Sequence, residues 1–231
     1  QYLSNHVDAN IPPNIRKILK KATAEQPERR FETVDDLLVA LKQEKNLLNQ
    51  SHSRKKIAIV GSHNGCGATH IGFSLVSTLN YMGYKSIYYE QQTTNSLRQL
   101  YPFLTPMKEI NGMICYHFFR GFPFYGPGVS MPVDSAAEFE IYDYGASFPP
   151  DDIHFDTILL ICSNGIWHWH EAFQKGELLQ KLSSRLKIIC NMGQRSTMVC
   201  FSKQFGQEVF QYPYEPSSFF ISSKKVSFFS K

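Results

Sequence analysis

Lys56-Ile57-Ala58-Ile59-Val60-Gly61-Ser62-His63-Asn64-Gly65-Cys66-Gly67-Ala68-Thr69-His70-Ile71 passes from an apolar run, through a glycine-punctuated turn, into a helical pattern. Ile57–Val60 is β-branched and apolar apart from Ala58, which predicts a short buried strand. Ile71, Leu75, Leu79 and Met82 recur at helical spacing and predict a helix reaching about Tyr81. Strand, tight turn and helix in this order make a phosphate cradle. Glycines let the backbone approach an anion, and the helix start turns its unpaired N–H groups toward it. On this reading Gly61 opens the turn and Gly67 closes it.

A working Walker A loop ends in Gly-Lys-Ser/Thr, its lysine reaching the terminal phosphates and its hydroxyl holding magnesium. Gly67 and Thr69 fit that ending, and Ala68 stands where the lysine belongs. A methyl group cannot neutralise phosphate charge. The loop therefore predicts a fold while arguing against ordinary ATP hydrolysis.

Downstream segments extend one sheet. Lys85–Glu90 predicts a strand ending in an acid, followed by a polar loop over Gln91–Asn95 and a short helix around Leu97, Leu100 and Tyr101, ended by Pro102. Asn111-Gly112 is a favourable hairpin turn leading into a strand over Met113–Gly121. Phe122–Gly128 is an aromatic, proline- and glycine-rich loop, either a partner surface or a loop tucked against the core. Phe139–Gly145 predicts a strand carrying Asp143 at its end. Asp156–Cys162 is a nearly continuous apolar strand of the kind buried on both faces of a parallel sheet. A helix over 168–183, strands over Leu186–Asn191 and Glu208–Tyr212, and the segment Pro213-Tyr214-Glu215-Pro216 follow. Phe219-Phe220 and Val226–Phe229 look like strands or docking contacts. The expected class is α/β: a three-layer, mostly parallel sheet of P-loop NTPase type, with a short N-terminal helical segment.

That front segment predicts two helices. The first is capped by Asn14 and carries Ile15, Ile18, Leu19 and Ala22; the second is capped by Thr33 with Asp36 and carries Leu37, Leu38 and Leu41. Pro27 interrupts between them. The expected division is a helical segment over 1–48, a polar linker over 49–55 and an α/β domain over 56–231. Residues 14–23, Gln26-Pro27-Glu28-Arg29-Arg30-Phe31 and Val34–Leu41 resemble the last two helices of a bacterial Ser/Thr protein kinase domain. The resemblance implies that Arg30 matches an arginine paired with the glutamate of the family's APE motif. No glycine-rich loop followed by VAIK, no HRD loop and no DFG is present, so the segment is a remnant that phosphorylates nothing.

Composition sets outer limits. The 231 residues are 42% hydrophobic and 14% aromatic, enough for one sizeable core and an appendage. Five cysteines without a CxxC pair suggest a reduced, cytoplasmic chain. No run of eighteen apolar residues is present, so no membrane insertion is expected, and the start at Gln1 reads as a fragment of a longer protein. Residues 1–56 hold eleven Lys/Arg against seven Asp/Glu, and 57–231 hold thirteen of each, so the whole +4 lies in front of the folded module. That distribution argues against nucleic acid as a partner. Trp167-His168-Trp169-His170 spaces its histidines poorly for a helical metal pair and reads as a packing cluster.

Over roughly residues 54–221 the order of these signals is similar to the MinD/ParA-type deviant P-loop ATPases, whose loop reads KGGxGKT. The resemblance sets His63 at the signature lysine, Asn64 and Gly65 at the glycines, Gly67 at the next glycine, Ala68 at the Walker lysine and Thr69 at the magnesium-binding threonine. It implies a nucleotide site of Gly61, His63, Asn64, Gly65, Cys66, Gly67, Ala68, Thr69 and His70, with Asn191 recognising adenine and Pro213 in the segment closing around the base. Glu90 and Asp143 are the implied remnants of the catalytic acids, Gln92 stands where a second aspartate is usual, and Thr69 and Asp143 are the implied magnesium contacts. Both lysines are missing, and each ~1.4 kcal/mol of lost charge stabilisation is about tenfold in rate. The expectation is a non-catalytic regulatory or interaction module of a bacterial Ser/Thr kinase, binding ATP or ADP with magnesium weakly and requiring no cofactor. Its expected partners are a protein, the kinase domain of the same polypeptide, or a second copy in a homodimer. The alternatives are a divergent ParA-like hydrolase drawing a lysine from elsewhere and a protein-interaction scaffold with no ligand.

Overall fold

The computed structural model describes residues 13–51, 54–104, 107–126, 132, 134, 136–182 and 185–230. They divide into two compact units, Gln1–Ser53 and Arg54–Lys231.

In the first unit α1 spans Pro13–Ala22, a 3₁₀ turn spans Pro27–Arg29, and α2 spans Val34–Ser51. Proline suits a first helical position because its missing N–H has no partner there anyway. The helix thus starts on Pro13, and Asn14 lies inside it instead of capping it. Thr33 and Asp36 form the expected reciprocal cap: the Asp36 N–H donates to Thr33 Oγ1 at 3.1 Å, and the Thr33 N–H donates to Asp36 Oδ2 at 3.1 Å. Helix α2 continues through Ser51, past the expected start of the linker at residue 49. Arg30 donates through Nε to the Ala24 carbonyl at 2.7 Å.

In the second unit the strands are β1 Lys55–Gly61, β2 Ser86–Glu90, β3 Lys108–Ile110, β4 Met113–Tyr116, β5 Phe119–Phe122, β6 Phe139–Asp143, β7 Thr157–Ser163, β8 Leu186–Asn191 and β9 Val209–Gln211. They form one sheet in the order β3-β4-β5-β2-β6-β1-β7-β8-β9, parallel except where β4 meets β3 and β5. The helices are α3 Ala68–Tyr81, α4 Ser96–Leu100, α5 Trp169–Leu182, α6 Arg195–Phe205 and α7 Ser223–Phe229. Alternating side chains of β1 feed two separate cores. Ile59 joins Ile71, Val76, Tyr88 and Phe119 on the α3 face, while Ala58 and Val60 join Leu160, Leu179 and Phe201 on the α5–α6 face. The result is the expected three-layer α/β architecture. Glu90 and Asp143 are register partners across β2 and β6, and Ile59 pairs with Asp143 across β1 and β6, so both acids lie at the carboxyl ends of central strands, on the same side as the loop leaving β1.

Three segments differ from the sequence reading. Met113–Gly121 is two strands, because the chain reverses at His117 and Phe118, with His117 in the left-handed region at φ 50° and Tyr116 opposite Phe119. Val226–Phe229 is helical: the Ser222 hydroxyl accepts from the Lys225 N–H and caps α7, which packs on α3. Helix α6 fills a stretch for which no element was expected. In the aromatic loop Phe122 is buried with Ile87 and Tyr89, and the Tyr125 hydroxyl donates to the Gly112 carbonyl at 2.7 Å; residues 127 and 128 lie outside the described residues.

Candidate functional site

The loop between β1 and α3 keeps the backbone of a cradle. Gly65 and Gly67 adopt φ of 82° and 97°, and Gly67 precedes α3 without any side-chain cap, so the first N–H groups of the helix are left to other acceptors. Gly61, however, belongs to the sheet. Its N–H donates to the Gly145 carbonyl at 2.6 Å, and counting back from Gly67 puts the consensus opening position on Ser62, whose N–H donates to the Ile161 carbonyl at 2.8 Å. The expectation that Gly61 opens the loop is corrected accordingly. It must still be glycine, because a Cβ there would lie 2.6 Å from the Cys66 sulfur.

The side chains of the loop turn toward their own chain. Ala68 is buried against the α3 core. His63 places Nε2 2.8 Å from the Ser163 hydroxyl and Nδ1 2.7 Å from the Asn64 carbonyl, and its ring stacks on His168 with centroids 3.6 Å apart. Cys66 is buried, and that burial pushes its thiol pKa up, so it is not primed as a thiolate. Asn64 is exposed. The His70 ring meets Tyr212 edge-on, and burial, with Lys225 adding to it, pulls its pKa down. Pro213 follows Tyr212 and is half-buried. The Asn191 carboxamide, expected at an adenine, donates to the Cys66 carbonyl at 3.0 Å and lies so close to Gly67 that a Cβ on that glycine would be 2.2 Å from its nitrogen.

The two implied acids sit in different surroundings. Glu90 is fully buried, its oxygens accepting from the backbone N–H groups of Ser96 and Phe124, and burial pushes its pKa up to about 7. It is a clamp on α4 and on the loop after β5. Asp143 is also fully buried. Its Oδ2 accepts from the hydroxyl of Thr69 at 2.7 Å, the hydroxyl of Tyr88 at 2.6 Å and the Gln92 amide at 2.9 Å, while Oδ1 accepts from the Gly145 N–H at 2.9 Å. Gln92 Nε2 also lies 2.6 Å from the Thr69 hydroxyl oxygen. The groups implied to hold magnesium are therefore together, but they are closed on each other with an amide donor between them. A cation would face N–H hydrogens at that position, and the residues as arranged do not fit it.

One unforeseen residue reaches the loop. Lys175 of α5 donates to the Gly61 carbonyl at 2.9 Å and to the Ala146 carbonyl at 2.6 Å, tying together the ends of β1 and β6. Neither it nor the roles of Tyr88 and Ser163 had a local motif to announce them. Their partners are distant in sequence and meet only through the strand order.

No protein-family profile matches the chain, and no curated protein matches it in sequence. Solved structures do match in shape. A plasmid partition protein from Borrelia burgdorferi, bound to AMPPNP, is 12% identical and superposes with a TM-score of 0.56 over 77% of this chain and 95% of that one. A ParA family ATPase from Chlorobium tepidum is 15% identical, with a TM-score of 0.50 over 71% and 86%. The fold is that of the ParA and MinD ATPases. The MinC:MinD cell division complex of Aquifex aeolicus matches at 12% identity and a TM-score of 0.51, covering 70% of this chain and 82% of that chain. The second unit is thus a P-loop ATPase-like domain in fold.

Proposed function

We propose that this chain is a non-catalytic regulatory and interaction module of a bacterial Ser/Thr protein kinase, in which a P-loop domain binds nucleotide phosphate weakly without hydrolysing it. One observation carries the reading: the glycine backbone and open start of α3 persist, while the side chains that would neutralise phosphate do not. Ala68 is a buried methyl, His63 is turned to Ser163, and the Lys175 ammonium is spent on two carbonyls. Phosphoryl transfer depends mainly on positioning and charge stabilisation, so a neutral cradle can hold an anion yet transfer it poorly. Lys175 thereby also fails as the lysine from elsewhere that a divergent hydrolase would need. The exposed Ile166 and Trp167 follow β7 beside His168, and Tyr214 is exposed after β9, offering apolar area at the strand ends to the kinase domain of the same polypeptide or to a second copy.

Calorimetric titration with ATP and ADP tests the reading. Saturable, weak binding that is lost in Thr69→Arg, with no phosphate release, is expected. The absence of heat up to millimolar nucleotide would overturn the binding part and leave a ligand-free scaffold. That alternative has its own support in the Asn191 carboxamide, which is already engaged with the loop.

A further inference from the structure

We infer that the Gln92 carboxamide takes the place of a divalent cation between Thr69 and Asp143, so that this loop is closed by an internal neutral donor and carries no magnesium. Both oxygens that would face a metal receive the same nitrogen: Nε2 is 2.6 Å from Thr69 Oγ1 and 2.9 Å from Asp143 Oδ2. A carboxylate oxygen offers about two lone-pair directions, and Asp143 Oδ2, the oxygen that faces Thr69, already meets three donors, Thr69, Tyr88 and Gln92, while Oδ1 accepts from the Gly145 N–H. The Thr69 hydroxyl spends its hydrogen on Asp143 and accepts from Gln92. Among the described residues no lysine or arginine forms an ion pair with Asp143, and its hydrogen-bond partners are neutral donors.

The backbone is shaped to admit this amide. Gly145 has φ 55°, and a Cβ there would lie 2.2 Å from Gln92 Oε1; the bare glycine leaves the space that the carboxamide fills. The same contact links three strand ends, since Gln92 follows β2, Asp143 ends β6 and Thr69 lies just beyond the loop from β1. A cation would have to displace the amide and strip Thr69 of an internal hydrogen bond before coordinating.

The inference stands whether or not nucleotide binds, and it is tested without nucleotide. Manganese binding is measured by loss of the free-ion electron paramagnetic resonance signal, alongside thermal unfolding with and without magnesium. The wild-type chain is expected to show no saturable manganese binding and no magnesium-dependent rise in midpoint. Gln92→Asp sets a second carboxylate beside Asp143 and Thr69. It should bind manganese at least about tenfold more tightly than wild type and rise in midpoint with the ion, as ligand linkage requires. Gln92→Asp combined with Asp143→Asn should lose both effects. Gln92→Ala, which opens the position without adding charge, is the second probe, and should bind manganese measurably if Gln92→Asp fails to fold. Saturable manganese binding by the wild type that Asp143→Asn abolishes would overturn the inference. Failure of every folded Gln92 variant to gain metal would overturn it too, since the position would then be closed for reasons other than the amide.

Discussion

Glu90 ends β2 without solvent exposure, and its two oxygens accept separately from the Ser96 and Phe124 N–H groups. Burial costs this carboxylate more than the backbone N–H groups of Phe124, Ser96 and Leu97 repay, so the carboxyl is held at about 7 against an ordinary 4.5. The folded chain then binds this proton more tightly than the unfolded chain. The group's contribution to stability is full below about pH 4.5, declines as pH rises toward 7, and stays low above that, a change on the order of 3 kcal/mol. Comparing denaturant unfolding of the wild type with Glu90→Gln isolates it. The variant loses one acceptor at every pH but has nothing to titrate, so its stability relative to wild type should improve from pH 5 to about 7 and level off above that; a difference independent of pH would contradict the assignment. The acid at a strand end was legible in the sequence. Its duty was not, because its partners are main-chain groups of two later segments that composition does not mark.

Helix α7 and the hairpins show the same boundary between local and distant information. Asn111-Gly112 announces its turn, and the chain obeys, with φ of 51° and 78° joining β3 to β4. A Cβ at Gly112 would also meet the Tyr125 hydroxyl at 2.4 Å, so Gly112→Ala should cost about 1–2 kcal/mol in urea unfolding through the left-handed penalty alone. His117-Phe118 carries no such signal, and the second reversal went unread. Val226–Phe229 has strand-like composition, yet it is helical because Ser222 caps it and Lys225 holds the preceding segment. The buried Lys225 ammonium donates to the carbonyls of Ser217 at 2.6 Å, Ser218 at 3.4 Å and Phe220 at 2.8 Å. That segment in turn places Phe219 against Phe73 and Phe119. Lys225→Met keeps the aliphatic volume but orphans buried carbonyls, and a loss of about 2 kcal/mol or more is expected. An unchanged urea midpoint would mean that water satisfies those carbonyls.

At the scale of the chain, the alternation of apolar runs and helical periodicity made the three-layer sheet legible, because each parallel strand must be covered on both faces by helices drawn from its neighbours in sequence. The strand order is what sequence pattern left open, and it is the order that joins Gln92, Asp143 and Thr69. The two units also differ in what they bury. Both core layers of the α/β unit are built from residues after 54, whereas over residues 17–42 of the helical unit, whose side chains are described, Ile18 is the one buried apolar residue and Val34, Leu38 and Val39 are exposed. Over those residues the apolar burial is too small to offset the entropy of ordering their backbone, about 1–2 kcal/mol per residue. A polypeptide of residues 54–231 should therefore unfold in one cooperative thermal transition with intact near-ultraviolet circular dichroism. A peptide of residues 1–53 should show only weak, gradually melting helicity. A sharp transition in the peptide would mean that the helical pair has a source of stability beyond its own core; loss of cooperativity in the truncated α/β unit would mean that its two core layers do not suffice without the residues in front of them.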